Sequence, residues 1–237
     1  MVACNGVSGF LMKSVISLSL EMETLASKLL KAQNGSFFIT SDNPVAILNQ
    51  FCANVEPHRS FAGFSKSGFQ LLLPISPKLC FLFYDAKIYK IGSFWRRLVE
   101  VSKADVEVVN ALQIQSAEKF IYFHDPKCEQ EIRSLIENYA SLRIPVRDFL
   151  RVMPGKNQHE ELLHFRASTV KLPKAWNFCR LRRHVNFQPG DRRNPAWSAL
   201  IEELEEDFEK NPSNEDVHTR MSKIIADPNS LKNIRVR

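Results

Sequence analysis

Apolar residues recur at helical spacing from residue 10 to 33, where Leu11, Val15, Leu18, Met22, Leu25 and Leu29 fall along one side and Asn34-Gly35 supplies a stop. That pattern predicts a long amphipathic helix. The period then changes. Ser36-Phe37-Phe38-Ile39-Thr40 is β-branched and aromatic, as in a strand, and runs into the turn formers Ser41-Asp42-Asn43-Pro44. Residues 69–75 and 79–85 are nearly continuous apolar runs separated by Ser76-Pro77-Lys78, which predicts two adjacent antiparallel strands. Because polar residues do not alternate with apolar ones there, both faces of this sheet are expected to be covered.

Helical periodicity returns over residues 102–117 through Val106, Val109, Leu112 and Ala117, with Asp105 near the start where a carboxylate suits the helix dipole. Residues 120–123 read as a further strand. A second amphipathic helix over 129–142 carries Ile132, Leu135, Ile136 and Tyr139 on one face. Beyond Pro145 the signal is punctuated by Pro154, Pro173 and Pro189. A clean helix over 196–210 follows, capped by Asn194 with Pro195 at its first position, and a shorter one over 215–226. The predicted class is α+β: a largely antiparallel sheet of four or more strands packed with helices over residues 1–145, and a basic, mostly helical extension over 146–237.

Composition narrows the setting. The 237 residues are 44% hydrophobic and 24% charged, enough for a core. No apolar run approaches the roughly 20 residues of a membrane span. Five cysteines, an odd number without a Cys-x-x-Cys pair or zinc-ligand spacing, fit a reducing, cytoplasmic compartment. A formal net charge of +6 permits an acidic partner without demanding one.

Three blocks arrive in a recognisable order: Phe38-Ile39-Thr40-Ser41-Asp42-Asn43-Pro44-Val45, then Leu73-Pro74-Ile75-Ser76-Pro77, then Asn110-Ala111-Leu112-Gln113 followed by Ala117-Glu118-Lys119-Phe120-Ile121-Tyr122. Together they resemble a mainly bacterial domain-of-unknown-function family, the one numbered forty-two thirty-eight, over residues 16–123. Members of that family begin with a Gln-His-x-x-Pro type of segment, and nothing like it precedes Phe10 here. The resemblance therefore implies an N-terminally shortened chain that lacks that histidine, and it implies no activity.

Candidate chemistry falls in two places. Asp42 and Asn43 end a predicted strand, where a polar pair can reach a ligand or metal; equally, Asx side chains bond turn amides, and Pro44 makes Asn43 extended. Asn110 lies mid-helix, where asparagine costs a few tenths of a kcal/mol against alanine. A hydrogen bond clamping the Asp42 turn would account for it, and Gln113 shares that face. The second place is the basic segment 166–193. Arg166, Arg180, Arg182 and Arg183 lie there among aromatics such as Trp176, suited to nucleic acid or another acidic partner. An acidic run from Glu202 to Glu209 follows and offers intramolecular neutralisation instead.

The leading expectation is a binding protein that meets nucleic acid through that basic segment. The alternative is a metal-assisted phosphodiester hydrolase with Asp42 as metal ligand or base and Asn43 and Asn110 orienting the substrate. His159 and His164 are five apart, not the four of a zinc-protease helix, which excludes that reading.

Overall fold

The computed structural model describes residues 18–19, 21–52, 63–93, 95–142, 150–154, 161–165, 175–183, 185–189, 191–196, 198–199, 202–203 and 206. The strands are β1 (Ala26–Ala32), β2 (Thr40–Ser41), β3 (Ala46–Leu48), β4 (Gln70–Ser76), β5 (Leu79–Tyr84), β6 (Tyr89–Ile91), β7 (Leu98–Val101), β8 (Ile121–Tyr122), β9 (Leu150–Pro154), β10 (Glu161–Phe165) and β11 (Cys179–Leu181). Two helices are bounded, α1 (Lys103–Ser116) and α2 (Glu129–Tyr139). The packing divides into two compact units, Ala26–Asp191 on one hand and Met1–Leu25 with Arg192–Arg237 on the other.

The larger unit is α+β, as expected. Its main sheet has the order β3-β4-β5-β1-β7 and is antiparallel except for β1 beside β7. The expected β4–β5 hairpin is present, with Leu72 opposite Leu82 and a register shift between Pro74 and Ser76. One expectation fails at the centre of the sheet. Residues 26–32, placed in the long N-terminal helix by their sequence spacing, form β1 between β5 and β7. Lys28, Leu30 and Ala32 are buried at a period of two, so it is the strand period that meets the core. Lys28 is accommodated because its ammonium donates to the carbonyls of Ser93 (2.9 Å) and Arg96 (2.6 Å).

Among the described residues one face of the sheet is buried and the other only in part, short of the two covered faces expected. Cys80, Leu82 and Tyr84 of β5 are buried, whereas Phe81 and Ile75 are 37% and 48% exposed. Leu73, Phe81, Leu29 and Leu98 are successive register partners across four strands on that partly covered side, where Leu71 is nonetheless buried.

α1 covers the buried face. Ser102 caps it in a reciprocal box with Asp105, the side chain of each accepting from the backbone N–H of the other. Val106, Val108, Val109 and Leu112 pack with Leu30, Leu72 and Leu82, while Ile114 joins a second cluster with Ile39 and Ile132. The helix is thus enclosed on both sides, so its mid-helix polar residues must find protein partners. β2 and β8 form a separate two-stranded ladder, Thr40 opposite Tyr122, and β6 pairs with β11. Residues 179–181 are therefore extended within the region read as mostly helical.

In the smaller unit residues 18–19 and 21–23 are helical, as are 195–196, 198–199, 202–203 and 206. Ser198 N–H donates to the Asn194 carbonyl at 3.0 Å, which starts the helix where the sequence places its cap. The predicted helix over 215–226 lies outside the described residues. Among the described residues no helix is long and apolar enough to cross a membrane.

Candidate functional site

The Ser-Asp-Asn-Pro corner begins where β2 ends. Asp42 Oδ1 accepts from the backbone N–H of Glu118 (2.9 Å), and Oδ2 accepts from those of Lys119 (2.7 Å) and Phe120 (3.2 Å). In return Asp42 N–H donates to the Phe120 carbonyl at 3.1 Å. Desolvation disfavours the carboxylate, but the three amide donors together outweigh it and hold the Asp42 carboxyl below the usual range. A carboxyl so placed is fully ionised at neutral pH and a weak proton acceptor there.

Its neighbours are engaged in the same way. Asn43 Nδ2 donates to the Ser116 carbonyl (3.2 Å), and Ser116 Oγ donates to the Asn43 carbonyl (3.0 Å). Gln113, buried in α1, donates from Nε2 to the Pro44 carbonyl (2.9 Å) and accepts at Oε1 from Ser41 Oγ (3.4 Å). One turn earlier Asn110 Oδ1 accepts from Ile39 N–H (3.0 Å) and Nδ2 donates to the Phe37 carbonyl (2.9 Å). The sequence spacing of Asn110 and Gln113 therefore brings two amides onto one extended segment, residues 37–44. The clamp meets that segment on both sides of the corner: Asn110 holds the approach, Gln113 and Ser116 the exit, and Asp42 reaches the chain leaving α1.

Beside the corner lies a half-open cavity of about 280 Å³. Ile114 of α1, Lys119, Phe120, Ile121 and Phe123 around β8, and Glu129, Ile132, Arg133 and Ile136 of α2 line it. Asp42, Asn43 and Asn110 do not. Asp42 touches it indirectly, because the amides it gathers belong to the lining segment.

The other acidic and histidine side chains noted in the sequence have local duties. Asp85 is buried and accepts from Gly68 and Lys87 N–H, Asp125 caps a short turn through Lys127 N–H, and His124 packs edge-on against Phe37. His164 sits in β10 and not on a helix; His58 and His159 lie outside the described residues. Burial pushes the Cys179 thiol up to about 12, against the hydrogen bond from Gln70 that lowers it, so this cysteine is a buried thiol at neutral pH.

The basic segment separates into parts. Arg166 lies outside the described residues. Trp176, expected at a partner-facing surface, is buried in the main core with its ring tilted against Phe178 at 4.9 Å. Arg192 is paired with Glu202, the intramolecular neutralisation the acidic run suggested, whereas Arg193 pairs with Glu21 outside that run. Arg180, Arg182 and Arg183 are exposed, with Arg182 Nε donating to the Ala86 carbonyl at 2.8 Å.

Sequence reasoning overlooked Lys90. The β6–β11 register sets it directly opposite Arg180, both exposed, and directly opposed residues share a face of the ladder. No local signal marks this, since the two positions are joined only by long-range pairing.

No curated protein and no solved structure matches the chain. The family described as "Protein of unknown function (DUF4238)" matches residues 8–127, half of the chain and all of the corner, α1 and β8. On that match the protein belongs to the DUF4238 family.

Proposed function

We propose that the protein is a binding protein whose acidic partner, nucleic acid foremost, docks on the β6–β11 ladder. The observation that carries this reading is the Lys90–Arg180 pair. Like charges directly opposite on a ladder cost about 0.2–1 kcal/mol, and neither side chain has an ion-pair partner among the described residues. Arg182 and Arg183 continue the basic strip beyond β11, and Lys87 lies 5.4 Å from the Phe187 ring centre on the turn before β6. A polyanion laid across the ladder relieves the repulsion and releases counterions.

The corner supports the same reading by default. Asp42, Asn43 and Asn110 are each hydrogen-bonded to the chain's own backbone, so the phosphodiester hydrolase draws nothing from their geometry. The buried thiols of Cys80 and Cys179, neither in a disulfide, support a reducing cytoplasm as the setting.

The test is fluorescence anisotropy with a labelled single-stranded oligonucleotide at roughly 50 mM salt, repeated at rising salt. The expected result is binding that weakens steeply with salt and is lost in Lys90→Glu/Arg180→Glu. Absent binding in the parent, or equal binding in the variant, overturns the reading.

A further inference from the structure

We infer that the cavity between α1, β8 and α2 is a binding site for a small amphiphilic carboxylate, with Asp42 as its positioning residue. The cavity's interior is aliphatic. Ile114 and Ile132 are 1% and 3% exposed and form its floor with Ile136, while Phe120, 59% exposed, and Phe123 stand at its mouth. A cavity of about 280 Å³ lies just under the roughly 300 Å³ at which drug-sized ligand pockets begin, which limits the occupant to a small molecule.

Charge decides what the occupant's polar end must be. Glu129 is the lining acid, and its Oε1 already accepts two bonds from Arg133, at 2.6 and 3.0 Å. Lys119 has no ion-pair partner among the described residues, so the lining presents one unmatched cation beside an apolar interior. An alkyl or aryl body in the isoleucine floor with a carboxylate at Lys119 satisfies both.

The family's corner gains a role from this. Asp42 holds the N–H groups of Glu118, Lys119 and Phe120, so it fixes the segment that carries both the cation and the aromatic rim. The wall is set before a ligand arrives, which lowers the ordering cost of binding.

Isothermal titration of the full chain with octanoate and octanol tests the assignment. Octanoate is expected to bind at least about tenfold more tightly than octanol, as a charge-assisted contact implies. Lys119→Met should bring octanoate down to the octanol level, and Ile136→Trp, which fills the floor, should remove both. Asp42→Asn should weaken octanoate more than octanol, a split that general loosening would not produce. In the parent, NOEs from the octanoate methyl to the Ile132 and Ile136 methyls need no variant. Failure of octanoate to bind, equal binding of octanol, or absence of those NOEs overturns the proposal. So does a dimer in sedimentation that Phe120→Ala dissolves, because the cavity would then be a contact between copies.

Discussion

Asn110 and Ile39 are joined across most of the family-matched region by a 3.0 Å hydrogen bond from the Ile39 N–H to the Asn110 side-chain oxygen. The same amide turns its nitrogen to the Phe37 carbonyl, so one side chain stands in for a neighbouring strand. Residues 36–39 have no ladder of their own; Asn110 of α1 supplies the partners of Phe37 and Ile39, and Phe38 N–H donates to the Pro77 carbonyl at 2.8 Å.

Asn110→Ala leaves the buried Ile39 N–H and the Phe37 carbonyl unpaired, and is expected to destabilise the larger unit by about 3 kcal/mol in urea melts. Asn110→Asp keeps the acceptor but sets an anion against the Phe37 carbonyl. Its loss should match that of alanine at neutral pH and shrink as the pH falls and the new carboxyl protonates to become a donor. Equal stability of parent and Asn110→Ala would remove the clamp from the account.

In the smaller unit Arg193, 1% exposed, donates to Glu21 Oε2 (3.0 Å), the Glu21 carbonyl (2.8 Å) and Thr24 Oγ1 (2.8 Å). Burial raises the Glu21 carboxyl despite the opposing pull of Arg193 and the hydrogen bond from Ser198. Arg193→Met strands Glu21 and should cost about 3–5 kcal/mol, whereas Glu21→Met/Arg193→Met should recover most of that loss. The check is a double-mutant cycle by thermal melting; a double variant no better than Arg193→Met would show that the pair is not the source.

Two glycines share a left-handed backbone but not a setting. Gly35 has φ +79° with open space around a would-be Cβ; Gly68 has φ +81°, and a Cβ there would lie 2.5 Å from both Asn49 Oδ1 and Phe51 Cβ. Gly35→Ala should therefore cost about 1–2 kcal/mol, the strain alone. Gly68→Ala adds overpacking of about 1–3 kcal/mol, and equal melting temperatures for the two variants would contradict the close approach.

What the sequence made legible follows from how local each signal was. The start of α1 was readable because Ser102 and Asp105 satisfy each other within one turn. The β4–β5 hairpin was readable because its strands are neighbours in sequence. β1 was not: Leu25 and Leu29 fit a helical stripe as well as Lys28, Leu30 and Ala32 fit a strand, and the composition favours helix. Pairing with β5 and β7, both far along the chain, decided the matter.

The candidate site divides in the same way. Asparagine mid-helix marks Asn110 as needing a partner and predicts a clamp onto the corner itself; the structure gives the corner to Gln113, Ser116 and the amides after α1. Trp176 read as a surface aromatic because nothing local distinguishes an exposed indole from one in the core. Lys90 became visible only through the β6–β11 register.

The central claim is that Asp42 is an ionised clasp on the chain leaving α1, and the most direct test is an NMR pH titration of the Glu118, Lys119 and Phe120 amide protons. Amides donating to a carboxylate shift as it protonates. A carboxyl depressed in the folded state contributes stability above its unfolded value, near 3.8, and loses it as the pH falls through the folded value. All three amides should titrate together with a midpoint below 3.8, and the transition should vanish in Asp42→Asn. A midpoint at or above 3.8, or amides that do not sense the titration, would contradict the account.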